Sequence, residues 1–148
     1  MIKQISIKTR LGWVSAFENN GKIFKIKFGK VNKQLKSKKL LKFKRELLNY
    51  FNHKTHKING NYEMNGNFIQ RKIWNELKKI EKGKTVSYGK IAKKYKTSPR
   101  LIGKICGQNK LVLVVPCHRV IRSDGSMGGF SSVGGIKLKK KLLEFEKL

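Results

Sequence analysis

The chain has 148 residues, 39% hydrophobic and 30% charged, which is enough for one sizeable domain or two small lobes and excludes a multidomain machine. Lysine and arginine number 36 against 8 acidic residues, a formal net charge of +28 that suits a polyanionic partner such as nucleic acid. The basic residues are mostly lysine and are spread evenly, 16 of them in residues 1–65 and 20 in residues 66–148, so a lysine-rich solvent surface fits the charge as well as a binding face does.

In chain order, Met1 to Lys8 lacks the apolar core of a secretory signal, and no later run is long enough to span a bilayer. A cytoplasmic protein without a membrane partner is expected. Gly12–Phe17 and Ile23–Phe28 read as two strands joined at Asn19-Asn20-Gly21-Lys22. Asn-Gly supplies the positive φ angles of a tight hairpin, and Phe24, Ile26 and Phe28 alternate with lysines. From Ser37 to Phe51 the apolar residues Leu40, Leu41, Phe43, Leu47, Leu48 and Phe51 fall at helical spacing. Residues 52–67 are polar and read as a linker, which divides the chain into lobes at 1–63 and 64–148. His53 and His56 have no third ligand nearby, so no metal site is expected there. A helix from Phe68 to about Ile80 follows, with Asn67 as its cap.

Ser87–Tyr95 and Pro99–Gly107 read as a helix-turn-helix, with Ser98 capping the second helix and Pro99 at its first position. Leu101, Ile102, Ile105 and Cys106 form the apolar side of that helix, leaving Arg100, Gly103, Lys104 and Gly107 on the other. Two glycines inside a helix cost about 1 kcal/mol each relative to alanine, so something should compensate. A slim, glycine-lined helix can approach the minor groove of DNA, and it can equally pack tightly on a neighbouring element.

Leu111–Val115 reads as a buried strand ending at Pro116-Cys117-His118-Arg119. A cysteine there is fixed by the core and open to a cleft, and a neighbouring His and Arg can favour its thiolate. The pair Cys-His alone is also compatible with an inert buried thiol, the reading given to Cys106 on its helix's apolar face. Cys106 and Cys117 match no metal or redox spacing.

The segment Pro116-Cys117-His118-Arg119-Val120 resembles the active-site motif of the O6-alkylguanine-DNA alkyltransferases, the methylated-DNA–protein-cysteine methyltransferases. The resemblance extends in order over Phe68 and Trp74, Gly83-Lys84-Thr85-Val86-Ser87-Tyr88-Gly89, Ser98-Pro99-Arg100, Gly103, Asn109, Gly128-Gly129-Phe130-Ser131 and Leu142-Leu143-Glu144-Phe145-Glu146. It implies an α+β protein with a ribonuclease-H-like amino-terminal lobe and a mainly helical, winged-helix-like carboxy-terminal lobe.

The resemblance further implies direct-reversal repair of double-stranded DNA containing O6-alkylguanine, with O4-alkylthymine as a further candidate, by a monomer without cofactor or metal. Each molecule would act once. Cys117 would accept the alkyl group while His118, through water and backed by Glu146, draws off its proton. Arg100 would fill the place of the flipped nucleotide, with Gly103 and Lys104 along the same DNA-binding helix. Tyr88 would crowd a phosphate and donate toward the guanine ring. Asn109 would tie the recognition helix to the active-site turn, and Val120, Phe130, Ser131 and Ser132 would line the pocket. Three positions depart from the family's usual pattern: Lys110 stands for proline, Phe130 for tyrosine and Ser132 for glycine.

Overall fold

The computed structural model describes residues 1–130 and 134–148, and its contacts divide them into two units. The first unit comprises Met1–Asn65 with Lys110–Val114, and the second comprises Gly66–Asn109 with Val115–Leu148. Lys110–Val114, expected in the carboxy-terminal lobe, thus groups with the first unit, where the Ile26 amide donates to the Lys110 carbonyl at 2.8 Å.

In the first unit, β1 (Lys3–Thr9), β2 (Gly12–Asn19) and β3 (Lys22–Phe28) form an antiparallel meander in that order. Sequence reading missed β1, whose Ile5 and Ile7 alternate with polar residues. Register places Ile5 beside Ala16 and Ile7 beside Val14, then Ala16 beside Ile26 and Val14 beside Phe28, so one face is continuously apolar. The helix α1 (Lys38–Phe51) covers the sheet with Leu40, Phe43, Leu47, Tyr50 and Phe51. The Asn20-Gly21 turn has the expected positive φ at both residues, 52° and 78°.

The stretch read as a linker is partly built into this unit. Ile58 is buried, and Tyr62 pairs with Ile23 and sets its ring edge-on to Phe43. Leu111–Val115 is not a strand. Leu111 bridges to Ile26, and the chain then turns at Leu113, which lies in the left-handed region with φ 72°. The run is buried as its composition requires, but burial by itself demands no ladder.

In the second unit, α2 (Phe68–Leu77) begins with a reciprocal capping box between Asn67 and Gln70. It ends three residues before the expected Ile80, because the amides of Lys79 and Ile80 reach back only three residues, to Glu76 and Leu77. Phe68, placed on the apolar stripe by spacing, is 72% exposed at the first turn. The two-residue strand β4 (Val86–Ser87) leads into α3 (Tyr88–Lys94), and α4 (Pro99–Gly107) completes the helix-turn-helix with Ser98 as its cap. Trp74 of α2 donates its indole N–H to the Ile105 carbonyl of α4 at 3.0 Å, fixing α4 from behind.

Cys117–Arg119 is a single 3-10 turn rather than extended chain, followed by β5 (Val120–Ile121), which pairs in parallel with β4. The terminal helix α5 (Gly135–Glu146) returns to this turn. There Arg119 donates to both oxygens of Glu146, at 2.9 and 2.6 Å, and to the Ile80 carbonyl at 2.6 Å. One guanidinium therefore joins the end of α5, the cysteine turn and the exit of α2. His118 Nε2 lies 3.0 Å from the same carboxylate, within ion-pair range but off hydrogen-bond alignment.

Burial pushes the His118 pKa down, and although burial works to raise that of Glu146, the His118 and Arg119 contacts hold its carboxyl well below the usual range. Both groups bind protons more tightly in the unfolded chain. Their stability contribution is therefore complete above the ordinary histidine value of 6.5, and it is lost on acidification, first through His118 and then, below the ordinary carboxyl value of 4.5, through Glu146. Replacing Glu146 with Gln leaves Arg119 buried without its counter-charge and should cost about 3–5 kcal/mol in urea unfolding. It should also flatten the acid limb of a Tm-against-pH curve below pH 4.5, and an unchanged limb would remove Glu146 from this role.

Candidate functional site

A cavity of about 740 Å³ opens within the second unit between the start of α3, one side of α4 and the turn after β5. Its lining includes Tyr88, Arg100, Gly103, Cys106, Cys117 and Phe130. The helix-turn-helix and the cysteine turn, far apart in sequence, thus share one opening. Val120 is fully buried behind it, and its carbonyl accepts from Lys139 Nζ at 2.6 Å. Lys104 is exposed on α4, one turn beyond Arg100. Ser131 and Ser132 lie outside the described residues.

The Cys117 sulfur accepts a hydrogen bond from Asn109 Nδ2 at 3.2 Å, and the same amide group donates to the Val115 carbonyl at 2.8 Å. Asn109 stands two residues beyond α4, so one side chain couples the end of that helix to the thiol. Proline is not needed after it for this geometry, since Lys110 occupies that position here. Among the described residues no hydrogen bond joins His118 to the sulfur, because the 3-10 turn carries the imidazole toward Glu146 instead.

Burial pushes the Cys117 thiol up, opposed by the Asn109 hydrogen bond, the charge of Lys139 and the amides of Cys117 and His118. The resting group is a protonated thiol in a setting that would stabilise its anion at close range. Cys106 is also buried, its thiol raised by burial to about 12, which agrees with an inert role. Burial drives His118 toward its neutral form, with the Glu146 contact working the other way.

Sequence reasoning missed Lys139. It is fully buried on α5, and its ammonium donates to Tyr88 Oη at 3.1 Å, to the Val120 carbonyl at 2.6 Å and to the Gly129 carbonyl at 3.1 Å. These bonds connect α5, β5, the 128–130 segment and α3 at one point. Tyr88 accepts there and so keeps its own O–H hydrogen for another partner. Its phenol is raised to about 12, first by burial and then by the neighbouring thiols, so it stays protonated. The signal that could have marked Lys139 is its helical phase with Leu142, Leu143 and Glu146, but four further lysines in the same short segment conceal it.

Two glycine positions discriminate between the readings of α4. A Cβ at Gly103 would meet only the edge of Tyr88, at 3.9 Å, and one at Gly107 would meet nothing within 4 Å. Among the described residues, tight packing on a neighbour therefore accounts for neither glycine, and the slim side of α4 faces open space. Gly128 differs: with φ at +70°, a Cβ there would come within 2.9 Å of the Tyr88 ring. Its requirement is internal.

The sequence model described as the 6-O-methylguanine DNA methyltransferase DNA-binding domain matches residues 68–148, more than half of the chain. A protein of Sulfolobus acidocaldarius named methylated-DNA–protein-cysteine methyltransferase is 44% identical over 98 residues, covering 66% of this chain and 61% of that protein. One of the same name from Methanocaldococcus vulcanius is 48% identical over 87 residues, covering 59% of this chain and 52% of that protein. The matched stretch therefore spans between half and two thirds of these relatives. Among solved structures, the Mycobacterium tuberculosis OGT in complex with DNA superposes with a TM-score of 0.86 at 26% identity, covering 97% of this chain and 92% of that one. On the strength of the matched domain, the chain belongs to the 6-O-methylguanine DNA methyltransferase family.

Proposed function

We propose that the protein repairs double-stranded DNA by moving the alkyl group of O6-alkylguanine irreversibly to its own Cys117, once per molecule. One observation carries this reading: the thiol of Cys117 and the exposed, glycine-lined side of a helix-turn-helix open into the same cavity. A small-molecule hydrolase has no use for that juxtaposition, and an alkylation sensor that does not repair has no use for the sulfur.

The slim side of α4 approaches the minor groove, and Arg100, held at the helix start by the Ser98 cap, takes the place of the extruded nucleotide. Lys104, one turn on, neutralises phosphate. The extruded base enters the cavity beside Cys117, with Phe130 as an apolar wall. The thiol proton passes through a bridging water to His118, whose developing charge Glu146 stabilises. The sulfur then attacks the alkyl carbon in line, the S–C bond forms as the C–O6 bond breaks, and the electron pair moves into the guanine ring. Tyr88 donates its free O–H hydrogen to the ring and recovers a proton from the relay, so guanine leaves neutral. Asn109 and Lys139 are positioning residues in this scheme. The product is a thioether, which water does not cleave, and the reaction ends there.

Mixing the protein with an equimolar duplex carrying one O6-methylguanine should place a single methyl on Cys117 by peptide mass spectrometry and restore guanine without a second turnover. Cys117→Ser should abolish transfer, and transfer persisting in that variant would assign the acceptor to Cys106. Arg100→Ala should lower the rate on duplex relative to free O6-benzylguanine by about tenfold or more, since only the duplex requires a base to be extruded at a cost of a few kcal/mol. Equal slowing on both substrates would remove the intercalating role.

A further inference from the structure

The cavity has a second arginine that the proposed reaction does not use. Arg122, immediately after β5, lines the same opening as Arg100 but comes from the turn on the cysteine side. Its side chain is exposed, and among the described residues no hydrogen bond or ion pair occupies its guanidinium. Its backbone is fixed twice: its amide donates to the Ser126 carbonyl at 2.9 Å, and its carbonyl accepts from Gly125 at 2.9 Å, where Gly125 closes the turn at φ +86°.

The acidic residue within this turn is engaged elsewhere. Asp124 Oδ1 accepts from the Ser126 amide at 2.9 Å and from the Ser126 hydroxyl at 2.7 Å. Asp124 and Arg122 attract one another electrostatically, but among the described residues no hydrogen bond or ion pair joins them, so the guanidinium keeps its fork for an external anion. Burial dominates the pKa shifts of both Tyr88 and Lys139, yet the charge of Arg122 is felt at each, so it lies within electrostatic reach of the groups around Cys117.

We propose that Arg122 grips a phosphate of the DNA strand carrying the alkylated base, holding that strand's backbone at the mouth of the cavity while the base is inside. The proposal rests on the alkyl-transfer reading for the identity of the strand. An extruded nucleotide carries its phosphates with it, and a cation on a rigid turn beside the opening meets them without reorganisation. Arginine suits the task because its planar fork matches two phosphate oxygens at once. The two arginines then divide the work. Arg100 compensates the duplex for a lost base and is needed only where a stack exists, whereas Arg122 holds the backbone and is needed on any strand.

The test compares wild type, Arg122→Gln and Arg122→Lys, with single-turnover transfer measured from O6-methylguanine in a duplex, from the same base in a single-stranded oligonucleotide, and from free O6-benzylguanine. For Arg122→Gln the rate relative to free O6-benzylguanine should fall about tenfold on both oligonucleotides, the loss expected for one charge-assisted phosphate contact, with Arg122→Lys intermediate. The salt dependence of oligonucleotide binding should become shallower by about one unit of slope. Loss on the duplex alone would give Arg122 the extrusion role and overturn the phosphate grip, as would equal loss on the free base. An unchanged salt slope would overturn it too. Because the slope is measured by binding, it judges Arg122 even if no alkyl group is transferred, so the failure of this proposal and that of the alkyl-transfer reading are told apart.

Discussion

The buried carboxylate of Glu146 is the constraint on which the second unit depends. It lies at the end of the last helix, yet it fixes a turn 27 residues earlier by accepting both arms of Arg119. That guanidinium also reaches the Ile80 carbonyl, so the exit of α2 is held to the same charge. Breaking such a buried pair leaves an uncompensated charge, so the Cys117–Arg119 turn is tied to the end of α5. The position of the sulfur follows from the position of an ion pair that does not touch it.

Electrostatics around the sulfur has the same economy. Arg119 is matched by Glu146, whereas Lys139 is satisfied by a phenol and two carbonyls with no carboxylate partner among the described residues, and burial lowers its pKa. Burial suppresses the thiolate, and Lys139 with Asn109 lowers the cost of forming it. Such a site keeps its thiol protonated until something removes the proton. Tyr88 joins this arrangement to the helix-turn-helix, because it starts α3, excludes a side chain at Gly128 and shares its oxygen with Lys139.

Much of this was legible in the residues. Caps at Asn67 and Ser98, together with apolar periodicity, located four helices, because those signals are local. The cysteine motif and Arg100 were legible through ordered resemblance. What stayed hidden depends on contacts distant in sequence. The ladder partner of β1 is set by register rather than composition, and a left-handed Leu113 is announced by no residue type that favours it. The buried Lys139 is one lysine among many, distinguished only by what α5 packs against. Arg119 was visible in the motif, but its dual bond to Glu146 and Ile80 was not.

The excursion of Lys110–Val114 into the first unit bears on how this chain tolerates sequence drift. The two most informative polar groups at the sulfur, Asn109 and the turn at Cys117, stand on either side of that excursion, and its anchor is a main-chain amide, that of Ile26. Any strand edge of the right geometry presents such an amide, whatever its side chains. The curated relatives described above align with no more than 66% of the chain, whereas the DNA-bound structure covers 97% of it by shape. Shape is thus retained over stretches of the chain that the sequence matches do not reach. The two flanks of the cysteine are joined directly by the Asn109 side chain, whose amide reaches the Val115 carbonyl, so that single bond rather than the excursion closes the loop around the sulfur.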